Sequence, residues 1–473
     1  MLRGRASPFT AITLDISDRS IIIEHMFVFE RKMVREKTYI CIDLKSFYAS
    51  VECVDRGLDP FTDNLVVADP DRTRTTICLA ITPALKDLGV KNRCRVFEIP
   101  EGISYTMAKP RMRRYMEVSA DIYSTYLRYV SAEDMHVYSI DECFIDATPY
   151  LSLYETDARG FAQMLMEAVF SKTKICATAG VGTNLFLAKT ALDVQAKHAP
   201  DNIGFLDEES FRRELWFHRP ITDIWSIGPG IARRLASHGV NDLAGIAAMR
   251  EETLRKEFGS NAEYLLDHAW GQEPCTMAQI NAYAPKSHSM TNGQVLPCDY
   301  TIEEARMVMH EMVDASVLEM VQQGLVSEQI SLMVGYVHDK GDRREEMVEN
   351  GHGKRPVHGR RAGVSTGGSL KIERRTNSTH LLMKRFDALF DKTTRQDLPI
   401  RRIVIGLGDL LPDDCATSTL FDDAEAEARE RRLQEAVVAV HGKFGKNAMI
   451  KAASLQEKAT ARERNGQVGG HRA

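Results

Sequence analysis

The sequence predicts an α+β protein of several domains. Its 473 residues are enough for about three or four domains of ordinary size. Between Thr38 and Leu215, segments with the alternation of strands are interleaved with segments of helical spacing, which is typical of an α/β domain with mixed strands. Residues 217–270 have a helical pattern with glycine-containing turns, and a second module of helices and strands follows.

The elements of the first domain can be justified in chain order from their periods. Alternating or continuous apolar runs of β-branched residues predict strands, and longer runs with apolar residues three or four apart predict helices. The strands are "TYICIDL", "NLVVAD", "TTICLAI", "MHVYSI", "CFIDA" and "KICATAGVG"; the helices are "FYASVECVD", "MAKPRMRRYMEVSADIYSTYLRYV", "ARGFAQMLMEAVFSKT" and "LFLAKTALDVQAK".

The later part of the chain begins with a segment, "YAPKSHSMTNGQVLP", that has the proline, glycine and polar content of a linker. A long helix, "TIEEARMVMHEMVDASVLEMVQQG", and the strands "QISLMVGYV" and "IRRIVIGLGDL" predict an α/β module after it. After Leu411 comes a charged, helix-prone tail. Residues 1–37 lack a clear period, and Met33 precedes the first strand, so one interpretation is an extension from a start codon assigned too far upstream.

Composition excludes some classes of protein. With 44% hydrophobic and 27% charged residues, the chain has no apolar run near the roughly 20 residues of a membrane span, and its start has no secretion-signal pattern. We therefore expect no membrane association. The nine cysteines are scattered without a C-x-x-C pair, which argues against a zinc site and predicts a reduced, cytoplasmic protein.

The net charge of −5 does not exclude nucleic acid as a partner. Whole-chain charge averages over local patches. Acidic residues are concentrated in the tail segment "LFDDAEAEARERRLQE", whereas Gly351–Arg375 is strongly basic.

Three acids stand at predicted strand ends. Asp141 and Glu142 are adjacent in "VYSIDECFID", and Asp43 ends the first strand. Neighbouring side chains point to opposite faces of a strand, so the acidic pair is either a simple hairpin turn or is held at a strand tip for chemistry. Carboxylates suit Mg²⁺, and nucleotidyl transfer typically uses two such ions.

The segments "DLKSFYASVE", "YSIDECFID" and "GVGTNLFLAKTALDVQAK", in this order and at these separations, resemble the Y-family DNA polymerases, in particular the bacterial UmuC-like branch of the ImpB/MucB/SamB type. The resemblance covers about residues 39–410. It implies a right-hand polymerase fold. The expected parts are an N-terminal extension (1–37), a palm with small fingers (38–216), a helix-hairpin-helix thumb (217–280), an α/β little finger (285–411) and a charged tail (412–473).

The resemblance implies a two-metal site. Asp43, Asp141 and Glu142 match the catalytic carboxylates, and Leu44 matches the residue whose backbone carbonyl binds one metal. The implied cofactor is a pair of Mg²⁺ ions, with Mn²⁺ as a substitute. Because such acids converge at a hairpin bend, they would not have to follow strand alternation.

The resemblance also places nucleotide contacts. Tyr48 matches the steric gate beneath the sugar of the incoming dNTP, with ordinary helix packing as the alternative, and Phe47 matches a residue that orients the backbone or packs below the triphosphate. The fingers would normally offer a tyrosine and a basic residue, but here Pro83 and Lys86 stand at those positions. Thr82 is expected to replace the missing hydroxyl.

Lys197 matches a second phosphate lysine. Its separation from Lys189 is one residue longer than in many relatives, and a solvated lysine is the alternative interpretation.

Contacts to primer–template DNA and to a partner are also implied. Gly228 and Gly230 belong to the G-x-G turn of the helix-hairpin-helix, whose amides can hold a phosphate without reading bases. A basic loop with Lys354, Arg355, Arg360 and Arg361 would add phosphate contacts, unless it is merely solvated.

The tail segment "TSTLFDD" resembles the peptide by which bacterial polymerases bind the sliding clamp. Leu420 and Phe421 would be its anchors, although Thr417 stands where the usual glutamine would be. A hydrophobic patch packed on the thumb is the alternative.

The function implied is template-directed, low-fidelity translesion synthesis in DNA repair and the SOS response, without proofreading. A small fingers region with Pro83 and Ala84 fits a loose pocket. Two rival classes are a catalytically inactive DNA-binding or polymerase-recruiting protein of the same fold, and a nucleotide cyclase with a related palm. The three acids argue against the first rival, and the helix-hairpin-helix has no purpose in the second.

Overall fold

The computed structural model describes residues 37–285, 288–337, 347–350, 353–356, 364–419 and 423–472, with only the backbone described for 347–350 and 353–356. The chain divides into two compact units. The first contains the described residues up to Pro110 and Arg114–Tyr283, and the second contains Arg111–Arg113 and the residues from Ala284 onward. No helix in the described ranges is long and apolar enough to cross a membrane.

The first part of the chain alternates strands and helices, as its periods predict. The strands are β1 (Tyr39–Leu44), β2 (Leu65–Val67), β3 (Ala80–Ile81), β4 (Thr106–Ala108), β5 (Met135–Val137), β6 (Glu142–Asp146), β7 (Ala177–Gly182) and β8 (Ile203–Leu206). The helices are α1 (Phe47–Val54), α2 (Pro83–Asp87), α3 (Met112–Tyr126), α4 (Thr148–Leu153), α5 (Ala158–Thr173), α6 (Leu185–Thr190), α7 (Glu208–Leu215), α8 (Pro229–Ala236), α9 (Leu243–Ala247), α10 (Glu251–Phe258), α11 (Asn261–Ala269) and α12 (Met277–Ala282).

A five-stranded sheet in the order β5-β6-β1-β7-β8 forms the centre of the first unit. β1 is antiparallel to both β6 and β7, and β7 is parallel to β8. β1 and β7 are buried along most of their length, which explains why their sequences are continuous apolar or small-residue runs rather than alternating ones. β1 is the central strand of this sheet. Asp43, near the carboxyl end of β1, therefore lies in the middle of the row of strand ends on that side of the sheet.

The predicted fingers contain a small separate sheet in the order β3-β2-β4. Its core is formed by buried apolar residues that include Val66, Ile81 and Leu85. The prediction of a seven-residue strand "TTICLAI" is wrong in extent, because only Ala80–Ile81 form a strand and Ile77 makes an isolated bridge to Arg95.

The predicted thumb is helical, with α8 to α11 packed around a core of Leu235, Leu243, Leu254 and Leu265. α8 begins with Pro229 in its first turn, after Gly228. Proline suits this position because the amide it lacks would have no partner within the helix.

The second unit is built on an antiparallel sheet of four long strands and one short strand. Its elements are β9 (Met290–Tyr300), α13 (Ile302–Gln323), β10 (Leu325–Tyr336), β11 (Met347–Asn350), β12 (Gly353–Pro356), β13 (Ser365–Thr376), α14 (Thr379–Thr393), β14 (Ile400–Gly408), β15 (Leu411–Pro412), α15 (Ala424–Phe444), α16 (Ala461–Arg464), β16 (Gln467–Val468) and β17 (His471–Arg472). The sheet order is β13-β10-β14-β9, and α13 and α14 contribute to the core beneath it.

The interpretation of residues 283–297 as a linker is wrong from Met290 onward. Met290–Tyr300 form β9, an edge strand whose residues pair with β14. Its burial alternates between half-buried and exposed residues at its start, and the polar side chains of an edge strand resemble those of a loop in composition.

The charged tail folds as part of the second unit. The carboxylate of Glu311 on α13 accepts hydrogen bonds from the backbone amides of Thr460 and Ala461 at 2.8 and 3.1 Å. Lys451 pairs with Asp314 on the same helix at 2.6 Å. The helix predicted after Leu411 is present as α15.

Candidate active site

The three predicted acids meet where the β5–β6 hairpin adjoins β1. Asp43 is the cross-strand partner of Glu142, so both side chains lie on the same face of the sheet. Asp141 precedes β6, in the bend, and its carbonyl accepts a hydrogen bond from the amide of Leu44 at 3.0 Å. The acidic pair therefore lies at a hairpin bend, and the bend frees Asp141 from strand alternation.

Side chains of α3 donate hydrogen bonds to the backbone of the hairpin bend. The hydroxyl of Ser119 donates to the carbonyl of Ile140 at 2.5 Å, and the hydroxyl of Tyr123 donates to the carbonyl of Ser139 at 2.5 Å. Ser139 in turn donates to a carboxylate oxygen of Asp141 at 2.7 Å. These contacts fix the orientation of Asp141 before any ligand binds.

Glu142 is paired with a buried lysine. Lys189 Nζ lies 2.8 Å from Glu142 Oε1 and 3.1 Å from the carboxylate of Asp193. Cys41 Sγ donates to the same Oε1 atom at 3.2 Å. Burial acts to lower the pKa of Lys189, but the carboxylates of Asp193 and Glu142 outweigh it and raise that pKa above its ordinary value.

Asp43 lies in an environment with too little positive charge. Burial, followed by the nearby charges of Asp141 and Glu142, raises the pKa of Asp43 to about 7, although Lys189 and Lys197 oppose the shift. Like charges placed opposite each other across a strand pair are destabilising. A bound cation would remove this penalty.

The donor set fits a divalent metal in its chemistry, since Asp43, Asp141 and the Leu44 carbonyl offer the hard oxygen atoms that Mg²⁺ prefers. The set is not preassembled. Within the described part of the chain, no group of three or more His, Cys, Asp or Glu side chains already has a metal-binding arrangement. Glu142 is instead held by Lys189.

Tyr48 stands beside this acidic site on a stacked aromatic support. Its ring lies 4.5 Å from that of Tyr115, with the two planes at 20°. The Tyr115 hydroxyl donates to the fully buried carboxylate of Glu52 at 2.7 Å, and Arg56 pairs with the same carboxylate. Burial, followed by the charge of Asp141, raises the pKa of Tyr48, which shows that its hydroxyl lies within the field of the acids.

Phe47 is buried and its ring lies 5.8 Å from that of Tyr48. Its role in orienting the backbone at the triphosphate or packing below it stays a prediction.

Lys86 and Lys197 both face the acids. Lys86 Nζ donates to the hydroxyl of Ser46 at 2.7 Å. Burial lowers the pKa of Lys86, the charge of Asp43 acts to raise it, and repulsion from Lys197 acts to lower it further. These mutual effects show that the two lysines and Asp43 share one region, although they are far apart in sequence.

A π-helical turn, Ala191–Ala196, lies between Lys189 and Lys197. Such a turn accommodates one inserted residue without ending the helix. It therefore lets Lys189 and Lys197 face the same acids despite their unusual spacing, and Asp193, 3.5 Å from Lys197, lies between them.

The prediction that Thr82 binds phosphate is wrong. Thr82 is fully buried, and its hydroxyl accepts a hydrogen bond from the amide of Leu65 at 3.1 Å. It ties the start of α2 to β2. The following Pro83 occupies the first turn of α2, so the fingers lack the hydroxyl that the family usually has there.

The glycines of the thumb turn have open surroundings. A Cβ atom added at Gly228 or Gly230 would meet nothing within 4 Å, so packing does not require glycine at either position. The predicted clamp anchors Leu420 and Phe421 lie outside the described residues, as do Arg360 and Arg361 of the basic loop.

Sequence reasoning missed the roles of Lys189 and Tyr115. Lys189 was considered only for its separation from Lys197, and its ion-pair partner Glu142 lies 47 positions earlier in the sequence. A single sequence gives no signal for such a pair; a lysine in an otherwise apolar helix, "LFLAKTAL", is the nearest hint, because a buried lysine requires a partner.

Comparison with known proteins agrees with the geometry. The family model described as impB/mucB/samB family matches residues 42–193, and the one described as impB/mucB/samB family C-terminal domain matches residues 287–443. Together they span more than half of the chain.

Two relatives from Bacillus subtilis (strain 168) extend over almost the whole length. The putative UV-damage repair protein UvrX is 29% identical over 442 residues, covering 92% of this chain and 98% of the relative. DNA polymerase IV 2 is 28% identical over 450 residues, covering 93% of this chain and all of the relative.

A solved structure has the same fold. The Y-family DNA polymerase chimera Dbh-Dpo4(243-245)-Dbh matches with a TM-score of 0.56 at 21% identity, covering 79% of this chain and 99% of that one. The chain therefore belongs to the impB/mucB/samB family of Y-family DNA polymerases.

Proposed function

We propose that this chain is a DNA-directed DNA polymerase that adds deoxynucleotides to a primer 3′-hydroxyl and copies damaged templates. The observation that carries the proposal is the junction of Asp43, Asp141 and Glu142 at one end of the central sheet, facing Lys86 and Lys197. Acids for a metal and cations for phosphate are what nucleotidyl transfer from a dNTP requires.

Membership of the family implies a dependence on divalent cations. We assign Asp43, Asp141 and the Leu44 carbonyl as ligands of two Mg²⁺ ions, replaceable by Mn²⁺, with Glu142 joining when it turns from Lys189. The metals would lower the pKa of the primer hydroxyl and neutralise the departing pyrophosphate.

The side chains around the metals bind and orient the nucleotide. Lys86 and Lys197 hold the triphosphate by charge-assisted hydrogen bonds, which are stronger than neutral ones. Tyr48, supported by the Tyr115 ring, lies where a 2′-hydroxyl would collide with it, so the site prefers deoxynucleotides.

The remaining parts hold DNA. We assign residues 38–216 to palm and fingers, 217–280 to the thumb and 285–411 to the little finger. Gly228 and Gly230 would admit a DNA phosphate at the N-terminus of α8, where both positions are open. The tail segment with Leu420 and Phe421 would bind the sliding clamp, and the cytoplasm is the expected location.

Low fidelity follows from the small fingers. Pro83 offers neither a hydroxyl nor an amide hydrogen to the triphosphate, so the nucleotide is held by fewer contacts. The relatives named DNA polymerase IV and UV-damage repair protein favour catalysis in repair over a non-catalytic DNA-binding role.

Primer extension tests the function. Purified full-length protein, Mg²⁺, dNTPs and a primer annealed to an undamaged or lesion-containing template should give extended primers, including products past the lesion. Asp141→Asn should abolish extension while leaving the protein folded. Absence of dNTP incorporation by the wild-type protein, with and without the sliding clamp, would disprove the polymerase assignment.

A further inference from the structure

Lys45, the residue after β1, holds its ammonium group beside the nucleotide site with neutral partners. Its Nζ donates to the side-chain oxygen of Asn202 at 2.5 Å and lies 6.0 Å from the centre of the Phe61 ring. An amide and an aromatic ring orient the cation, but neither carries a negative charge to balance it. The side chain is thus positioned without being neutralised.

Lys86 likewise has a neutral hydrogen-bond partner. Its hydrogen-bond acceptor is the hydroxyl of Ser46, the residue next to Lys45. Ser46 has a positive φ of 49°, a conformation that costs a non-glycine residue free energy and persists where the surroundings impose it. The turn therefore holds Lys45 and Lys86 close together at a cost in conformational free energy.

The electrostatic effects agree with this geometry. Burial lowers the pKa of Lys86; Asp43 opposes the change, and Lys197 and then Lys45 reinforce it. Two acids act on Lys86: Asp43, which belongs to the proposed metal site, and its neighbour Asp87, whose effect is the weakest of those on Lys86. Clustered cations whose hydrogen-bond acceptors are neutral, as those of Lys45 and Lys86 are, are typical of a site for a polyanion.

The position of Lys45 indicates which phosphate it reaches. The acids lie at β1 and β6, whereas Asn202, which accepts the hydrogen bond of the Lys45 ammonium, immediately precedes β8 at the other edge of the same sheet. Because the α-phosphate must lie at the acids for chemistry, a cation held toward β8 faces the far end of the triphosphate.

We propose that Lys45 binds the terminal phosphates of the incoming dNTP as a further cation beside Lys86 and Lys197. This inference rests on the proposed polymerase function. It assigns to Lys45 a specificity for triphosphates, since a nucleoside diphosphate would be too short to make the full contact.

The test compares Lys45→Met with the wild-type full chain. A charge-assisted hydrogen bond contributes enough that its loss should raise the dNTP dissociation constant about tenfold. The dissociation constant is measured on a primer ended by a dideoxynucleotide, so that binding is read without chemistry. The KM for dNTP and the inhibition constant of pyrophosphate should rise in parallel, kcat should change less than about twofold, and dNDP binding should weaken less than dNTP binding.

Three further variants separate binding from structure. Lys45→Arg should restore most of the affinity, because it restores the charge. Asn202→Asp should weaken dNTP binding while leaving Lys45 in place, since the new carboxylate neutralises it; this variant serves if Lys45→Met does not fold. Lys172→Met, at a lysine paired with Asp121 on the surface, removes one charge elsewhere and should change nothing.

The outcomes decide between the claims. If the wild type incorporates dNTPs and Lys45→Met leaves KM and pyrophosphate inhibition unchanged, or lowers kcat and melting temperature alone, Lys45 has a structural role and the inference is wrong. If the wild type incorporates no nucleotide, the proposed function itself fails, and this inference fails with it.

Discussion

Lys189 illustrates how one buried residue can preserve an acidic site in the absence of metal. Its side chain is about nine-tenths buried, and its ammonium pairs with Glu142 and Asp193. Without it, Glu142 would face Asp43 across the strand pair without an ion-pair partner of its own. The lysine therefore supplies a positive charge that a bound metal would otherwise supply, and we expect Glu142 to turn toward a metal only if that charge replaces the one of Lys189.

We expect Lys189→Met to lose about 3 kcal/mol of unfolding free energy in the presence of a chelator, because it leaves buried carboxylates unpaired. Mg²⁺ or Ca²⁺ should then raise its melting temperature more than that of the wild type, since the metal supplies the missing charge. Thermal unfolding with and without the cation measures both effects.

A matched control is Lys189→Met combined with Glu142→Gln, which removes one charge of each sign. It should recover stability in chelator and lose the extra response to metal. If the metal raises the melting temperatures of Lys189→Met and the wild type equally, Lys189 does not stand in for a cation.

Tyr48 provides the second test at the residue scale. Tyr48→Ala should raise ribonucleotide use by at least about tenfold relative to deoxynucleotide use, since the ring that excludes the 2′-hydroxyl is gone. Tyr48→Phe keeps the ring and should retain selectivity. The measurement is the ratio of kcat/KM for a dNTP and the matching rNTP, and an unchanged ratio in Tyr48→Ala would remove Tyr48 from the gate role.

Individual residues were predictable where a local pattern marks them. Asp43, Asp141 and Glu142 stand at strand ends in segments with a strong period, and the structure brings them together. Thr82 was not predictable, because its burial depends on β2 packing against it, 17 positions earlier in the chain. The pairing of Lys189 depends in the same way on contacts that no local window contains.

At the scale of elements, the sequence predicted the longest helices and most strands of the first unit. It missed β4, β8 and β13, the last of which begins within the segment interpreted as a basic loop. α5 has the bounds that its pattern gives, Ala158–Thr173, because sixteen residues sustain one helical period. The π turn at Ala191–Ala196 was visible only as an unusual spacing, since the residues of a π turn have no distinctive composition. β9 was mistaken for a linker because an edge strand needs few apolar residues.

The tail is the element whose contribution to stability is most testable. The Glu311 carboxylate, nine-tenths buried, accepts from the amides of Thr460 and Ala461 and from the Thr460 hydroxyl. A chain ending at Phe444 would leave this carboxylate without those donors. We expect the truncation to cost at least about 1–3 kcal/mol in urea unfolding of the second unit.

The effect of Glu311→Leu on the free energy of unfolding should have opposite signs in the full-length and the truncated chain. In the full chain it removes three hydrogen bonds and destabilises; in the truncated chain it replaces an orphaned buried charge with an apolar side chain and stabilises. The interaction free energy comes from the double-mutant cycle. The same sign in both chains would show that the tail does not satisfy Glu311.

At the scale of the whole molecule, net charge and function point in different directions. A chain with a net charge of −5 belongs to a family of DNA polymerases, so its DNA contacts must come from local basic groups. Fold class followed from periodicity and from the family resemblance of the motifs. The location of the DNA-binding basic groups did not follow from net charge, because a sum over the whole chain does not show where the charges lie.

Salt dependence of DNA binding tests whether the basic loop of the second unit supplies those contacts. Each phosphate neutralised contributes about 0.9 to the slope of log K against log salt, so Arg360→Ser with Arg361→Ser should reduce that slope by up to about 1.8. The matched control is Arg429→Ser with Arg432→Ser, which removes the same charge from exposed positions of α15 and should leave the slope unchanged. Equal slopes in both double variants would assign the loop to solvent, whereas a change in the loop variant alone would show that position, rather than net charge, determines how this polymerase holds DNA.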